Sequence, residues 1–254
     1  MNNLIASDMR RMLKSKFFYI FAVAIPILMI LVDLFGTLVV RLLDIESPVY
    51  ADALFATFEG RYSFLLPAVF IALFVGHELV TGCIRNKIIS GNSRYSCFLS
   101  SAVCMIPVVV VVQLVAFGTS QILGLALGEG FADIVYMLKF MAVCTCANIV
   151  LAIFMVALTY LFSNSNGAYV AGGLVSVIMI FLGSDVMSKL YPEDGIIRIS
   201  GTKLTVYQFI DRYVPFSYPM NAVLKEPRFY IIGIAATLVI ALLIGGVFTR
   251  KDMK

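Results

Sequence analysis

Long apolar runs alternate with short polar segments along this chain of 254 residues. A helix needs about 20 apolar residues to cross a hydrocarbon core of about 30 Å. Six stretches approach or exceed that length, and they cover residues 17–40, 63–80, 97–127, 134–162, 167–182 and 229–248. The sequence lacks the short alternating segments of a membrane β-barrel. The pattern predicts an all-α polytopic membrane protein with six transmembrane helices and a single transmembrane domain over residues 1–254.

The first 16 residues predict a further, amphipathic helix. Its apolar and charged faces would be formed by Ile5, Met9, Met12 and Leu13 on one side and by Asp8, Arg10, Arg11 and Lys14 on the other. Such an interfacial helix is expected to lie in the cytosolic headgroup layer. The alternative is an arm that only sets the membrane topology through its charge.

Residues 183–228 form the longest stretch outside the predicted spans, and their second half is partly apolar. This half is too apolar for a free linker and too short to cross the membrane twice. We expect a re-entrant pair of short helices in this outer loop between the fifth and sixth spans, broken at Pro215 and Pro219. A small folded cap outside the membrane is the alternative.

Composition and charge agree with a membrane protein and orient it. The chain is 61% hydrophobic and 13% charged, whereas a soluble domain is about half apolar and a quarter charged. One predicted side of the membrane carries Arg10, Arg11, Lys14, Lys16, Arg85, Lys87, Arg94, Arg250, Lys251 and Lys254. The other side carries Asp44, Glu46, Asp52, Glu59, Glu129, Asp133, Glu193 and Asp194. Because cytosolic loops are rich in Lys and Arg, we expect a cell-membrane protein with both termini in the cytosol. The net charge of +4 is then a topology signal and does not indicate nucleic-acid binding.

Three polar side chains interrupt the predicted spans, at Asp33, Gln113 and Asn148. Asp33 lies about 24 Å along the first span, where it could reach external water or form part of a transport path. Gln113 and Asn148 lie deeper, where hydrogen bonds between helices account for them as well as contact with a cargo does. All three are candidate cargo-path residues.

The sequence shows no catalytic or metal-binding motif. Its single histidine, His77, stands beside Glu78, but an H-E-x-x-H zinc site would need a second histidine where Thr81 stands. A phosphate-binding loop of the form G-x-x-x-x-G-K-[ST] is also missing. We therefore expect a chain that is not an enzyme, that binds no cofactor or metal ion, and that does not hydrolyse ATP by itself.

The cytosolic loop 81–94, "TGCIRNKIISGNSR", could form a short helix that ends at Gly91-Asn92. Ile84 and Ile88 would present an apolar knob flanked by Arg85 and Lys87. Ser93 could cap the following span. The alternative is an ordinary basic loop that obeys the orientation rule. Glu78 lies near this loop, where Arg10 or Arg11 could pair with it; His77 or water could serve it as well.

This plan of an interfacial helix, six spans and an apolar outer loop resembles the membrane subunits of type-2 ATP-binding-cassette (ABC) exporters. The stretches similar to that family are "SDMRRMLKSKFFYI", "VGHELVTGCIRNKIISGNSRYSCFLSS", "VPFSYPMNAV" and "FTRKDMK". Within the second stretch the similarity includes Glu78, Gly82, Ser93 and Arg94. The chain departs from many members at Ser101, where they carry a lysine.

The resemblance implies two such permease subunits, identical or related, paired in the lipid bilayer. Each would take a separate ABC ATPase subunit, which binds ATP and Mg. The loop between the second and third spans would be a coupling helix that docks in a cleft of the ATPase. The coupling residues would be Thr81, Gly82, Ile84, Arg85, Lys87, Ile88, Gly91 and Arg94, with Arg10, Arg11 and Glu78 linking the interfacial helix to them.

The expected function is outward transport of an amphipathic or lipophilic cargo, such as a small peptide, an antimicrobial, a drug or a lipid. Two alternatives from other classes stay open. One is an intramembrane lipid-modifying enzyme, and the other is a channel or carrier that works without an ATPase.

Overall fold

The structure is a computed structural model that describes residues 2–42, 50–128, 130–162, 165–192, 195–220 and 224–248. The side chains of residues 2, 33–42, 162, 165–172 and 248 lie outside that description. The predicted charged residues outside it are Asp44, Glu46, Glu129, Glu193, Asp194, Arg250, Lys251 and Lys254. The described part is all-helical, with no β-strand. This confirms the all-α part of the predicted fold class.

The described residues form ten α-helices and one 3₁₀ turn. These are α1 Asn2–Lys14, α2 Lys16–Leu42, α3 Ala51–Arg61, α4 Leu65–Val80, α5 Cys83–Ile89, α6 Arg94–Leu127, α7 Ile134–Phe162, α8 Ser165–Leu190, α9 Thr202–Tyr213, the 3₁₀ turn Pro215–Ser217 and α10 Pro227–Phe248.

Four described helices, namely α6, α7, α8 and α10, are long and apolar enough to cross a membrane. Two further spans exist if each of two bent pairs counts as one crossing. The first pair is α1 with α2, bent by 55°, and the second is α3 with α4, bent by 44°. The described part of the chain thus has four to six candidate spans, as expected of a multi-pass membrane protein, and the predicted number of six is the upper value of that range.

The α3 helix was not predicted, because Asp52, Glu59 and Arg61 interrupt its apolar character. Its aromatic side chains nevertheless point into the helix bundle. Phe55 is fully buried, and its ring meets the ring of Phe117 edge to face at 5.3 Å between centroids. Such pairs stabilise a core beyond the burial of their area. Residues 51–61 thus form a packed helix where the sequence predicts an outer loop.

The longest helix, α6, lies at the centre of the bundle and packs against α1, α2, α3 and α7. It has 34 residues, which correspond to about 51 Å, so it extends well beyond a hydrocarbon core of about 30 Å. Ser93 caps it as predicted, since the Ser93 hydroxyl accepts a hydrogen bond from the backbone N–H of Ser96 at 3.0 Å. This cap fixes the point at which the chain leaves the loop that contains α5.

The outer stretch is more helical than expected, because α8 continues to Leu190 and α9 follows it. The α9 helix ends at Tyr213, before Pro215, as predicted. Pro219 lies in a turn, and the described residues between α9 and α10 do not contain the second short helix of the predicted pair. Lys225 Nζ lies 2.5 Å from Asp211 Oδ1 and holds α9 against the segment before α10. Burial lowers the pKa of Lys225, and the hydrogen bond to Asp211 opposes that effect. Insertion of this stretch into the bilayer stays a prediction.

Candidate functional site

Four charged side chains meet where α1, α4 and α5 converge on α6. Lys87 Nζ lies 2.9 Å from the carboxylate of Asp8 and 3.0 Å from Glu78 Oε2. Arg11 donates a hydrogen bond to Glu78 Oε1 and lies 3.4 Å from Asp8 Oδ1. We call Asp8, Arg11, Glu78 and Lys87 the junction cluster. It joins α1 to α4 and α5.

The junction cluster is buried and electrically balanced. Asp8 is 3% exposed and Glu78 is 4% exposed, and two cations face these two carboxylates. Ser100 on α6 adds a hydrogen bond of 2.6 Å to Asp8 Oδ2. Removing one partner from such a group is costly, because it leaves an uncompensated charge away from water. The cluster therefore holds α1, α4, α5 and α6 in one arrangement.

Arg11 is the most accessible member of the junction cluster. Its guanidinium lies 5.7 Å from the centroid of the Phe74 ring, and it also donates to the sulfur of Cys83. The predicted pair with Glu78 is thus confirmed for Arg11. Arg10 is exposed and lines a cleft beside the cluster.

Glycines with positive φ begin and end α5. Gly82 has φ 70° and Gly91 has φ 94°, values that favour glycine because a Cβ is strained there. The predicted stop at Gly91-Asn92 is confirmed: Gly91 N–H donates to Ile88 O at 3.0 Å, and Asn92 N–H donates to Lys87 O at 3.2 Å. This pair of bonds is a Schellman motif. It fixes the length of α5.

The two faces of α5 differ from the predicted ones. Ile84 is 1% exposed and lies in the main hydrophobic core, and Ile88 packs against that core. Lys87 is engaged in the junction cluster. The prediction that Ile84 and Ile88 present an apolar knob flanked by Arg85 and Lys87 is therefore wrong, because Ile84 is buried and Lys87 pairs with Asp8 and Glu78. Periodicity fixes which residues share a helix face, whereas packing against α4 and α6 decides which face is buried.

The outward face of α5 consists of Arg85, Asn86, Ile89 and Ser90. Ile89 is 74% exposed, and Arg85 precedes it by one helical turn. This face therefore combines an apolar side chain and a cation. Thr81 is also exposed and donates to His77 O at 2.8 Å, while Arg94 begins α6 and is half-buried.

Two of the candidate cargo-path residues lie inside the helix packing. Gln113 is 1% exposed and Asn148 is fully buried. Gln113 Nε2 donates to Glu59 Oε2 at 3.2 Å. Glu59, predicted to lie in an outer loop, lies in α3 and is 2% exposed, so the prediction of a loop is wrong at this position. The side chain of Asp33 lies outside the described residues.

Sequence reasoning missed Asp8 and Ser100 as members of the site. Asp8 was assigned to the charged face of α1, yet it is buried beside Met12, which is fully buried. A signal was available, because Ile5, Asp8 and Met12 are three and four residues apart and so share one face. Ser100 offers no such signal, since many helices in membranes contain serine.

No family model matches this chain, and no curated protein is significantly similar to it in sequence.

Proposed function

We propose that this chain is the permease subunit of a type-2 ABC exporter in the cell membrane. A separate ATPase subunit would bind ATP and Mg and dock on the outward face of α5. The observation that carries this proposal is that α5 has one exposed side and one side packed against the rest of the protein. Its outward side combines Arg85 with the exposed Ile89, while its inward side is fixed by Ile84 and Lys87.

A displacement of α5 would be transmitted to the membrane helices through direct side-chain contacts. Lys87 connects α5 to Asp8 on α1 and to Glu78 on α4. Ile84 connects it to the core that α6 and α7 share. A contiguous set of packed and charged contacts is the kind of network that couples distant sites. ATP-driven movement of the partner would therefore displace α1, α4 and α6 together.

Transport in this proposal uses two permease subunits, identical or related, that pair in the bilayer with both termini in the cytosol. The cargo would be amphipathic or lipophilic and would move outward. Glu78, the carboxylate that an intramembrane enzyme would use beside His77, is occupied by Arg11 and Lys87. Because Glu78 is already paired with these two cations, the enzyme alternative is less favoured.

The test is recovery of an ATPase with the tagged chain, purified from its native cells in mild detergent. We expect an ATPase with a phosphate-binding loop to co-purify with the unaltered chain. Arg85→Glu and Ile89→Asp should each reduce its retention at least roughly tenfold, as loss of an interface hot spot does. Both residues are exposed, so the chain should still fold.

The matched control is Lys203→Glu, a charge reversal on the exposed surface of α9. It should retain the ATPase as the unaltered chain does. Recovery of the folded chain without any ATPase would refute the proposal. Equal retention in all variants would refute the docking face on α5.

A further inference from the structure

A cleft of about 860 Å³ opens between α1 and the end of α4, beside the junction cluster. Arg10, Lys14 and His77 line its polar side, and Phe17, Leu73 and Phe74 line its apolar side. The volume is in the range of pockets that hold small organic ligands. The lining is that of a site for an amphipathic molecule.

The polar side of this cleft is positively charged. Arg10 and Lys14 are exposed, and Arg11 keeps 38% of its side-chain surface exposed. The one carboxylate in the lining, Glu78, is already paired with Arg11 and Lys87. Ser7 adds a hydroxyl group that can donate a hydrogen bond. An anionic group such as a phosphate diester would therefore find both charge and hydrogen-bond donors.

An exposed apolar stripe begins at the cleft and continues along α2. Phe17, which lines the cleft, is 44% exposed, and it is followed at helical spacing by Ile20 at 59%, Val23 at 58% and Ile27 at 51%. Since α2 forms the longer arm of the bent pair with α1, the stripe leads from the cleft towards the membrane interior. This continuity fits a ligand with long acyl chains better than a soluble anion.

We propose that the cleft binds the headgroup of an anionic phospholipid from the surrounding bilayer. The phosphate lies between Arg10 and Lys14, and the acyl chains follow the stripe along α2. Basic pockets on the cytosolic side of membrane helices recognise such headgroups. A bound lipid would bridge α1 and α4 and so reinforce the junction cluster. The proposal depends on membrane insertion alone and not on an ATPase partner.

The test is native mass spectrometry of the full chain in mild detergent, titrated with phosphatidylglycerol or with phosphatidylcholine of the same acyl chains. We expect the chain to bind phosphatidylglycerol more tightly than phosphatidylcholine. The double variant Arg10→Gln/Lys14→Gln should weaken phosphatidylglycerol binding by roughly 30-fold, because it removes the attraction of two cations to the anionic headgroup. The matched control Arg61→Gln/Lys203→Gln removes the same charge from exposed positions away from the cleft and should bind phosphatidylglycerol as the unaltered chain does.

A second variant keeps Arg10 and Lys14 and places a larger side chain in the cleft. Ala6→Phe, in the lining of the cleft, should also reduce phosphatidylglycerol binding, and equal thermal unfolding midpoints in phosphatidylcholine would show that the variants fold. Equal binding of the two lipids, or equal loss in the control, overturns the proposal. Displacement of the lipid by soluble glycerol phosphate at the same concentration also overturns it, because the site would then be one for free anions.

Discussion

Asp8 occupies a position in α1 that an apolar side chain fills in an ordinary amphipathic helix. The carboxylate is buried at 3% exposure and is tolerated there because Lys87 and Ser100 both contact it. Two buried carboxylates and two cations in one junction cluster make each member dependent on the others. At the scale of single residues, this dependence is the property that is easiest to test.

Replacing Lys87 by Met should destabilise the chain by about 3 kcal/mol, because Asp8 and Glu78 would then share Arg11 as their only cation in the junction cluster. The measurement is the free energy of unfolding in detergent. Lys203→Met, on the exposed surface of α9, is the matched control and should change that free energy by less than about 0.5 kcal/mol.

The double variant Lys87→Met/Glu78→Gln restores the balance of charge within the junction cluster. It should therefore recover part of the stability lost in the single variant. Equal stability of Lys87→Met and the control would show that the cluster contributes nothing to the fold.

The sequence predicts part of this cluster. Pairing of Glu78 with an arginine of the N-terminal helix follows from the expected topology, and Arg11 makes that contact. The inward direction of Lys87 could not be predicted, because α5 has only seven residues and its rotation is set by packing. The three-and-four spacing of Ile5, Asp8 and Met12 already places Asp8 on the apolar face, although its partners come from distant parts of the chain.

At the scale of elements, close contact between α10 and α6 depends on one glycine. A Cβ at Gly245 would lie 2.3 Å from Cε1 of Phe98, and Phe98 is fully buried and so cannot move aside freely. The next residue, Gly246, has nothing within 4 Å of the same position. Neighbouring glycines of one helix thus have opposite packing environments.

Gly245→Ala should destabilise the chain by about 1–3 kcal/mol, the usual cost of overpacking a core. Gly246→Ala should be neutral or stabilising by up to about 1 kcal/mol, because alanine is the better helix former. Thermal unfolding of the two variants in the same detergent gives the comparison. If both variants unfold at the temperature of the unaltered chain, α10 does not pack on Phe98 in this way.

The sequence predicts the ends of a helix correctly where the helix coincides with one uninterrupted apolar run. The α7 helix covers residues 134–162 as predicted. The α8 helix continues eight residues beyond its predicted end at 182, since residues 183–190 still bury Val186 and Leu190. The α3 helix was missed because its charged residues lower the local hydropathy. Tertiary contacts with Phe117 and Phe140 stabilise it, and a single sequence does not reveal them.

At the scale of the whole molecule, the predicted orientation in the membrane would place α5 in the cytosol and α9 outside. This prediction follows from the distribution of Lys and Arg. Arg85 and Lys203, on these two helices, are both exposed and so offer suitable positions for labelling.

In a chain whose five natural cysteines are replaced by serine or alanine, Lys203→Cys should react with a membrane-impermeant maleimide in intact cells. Arg85→Cys should react only after the cells are permeabilised. The extent of labelling measures the side on which each residue lies. The reverse labelling pattern would invert the proposed topology and remove α5 from any cytosolic ATPase.

The contacts of Asp8 also set an order for the assembly of the molecule. Lys87 follows Asp8 by 79 residues and Ser100 follows it by 92. At 5–20 residues per second, a ribosome needs roughly 4 to 18 s to add them. The α1 helix therefore lacks these two partners of its buried carboxylate until they have been synthesised. It is locked in place only after α4, α5 and the start of α6 have been synthesised.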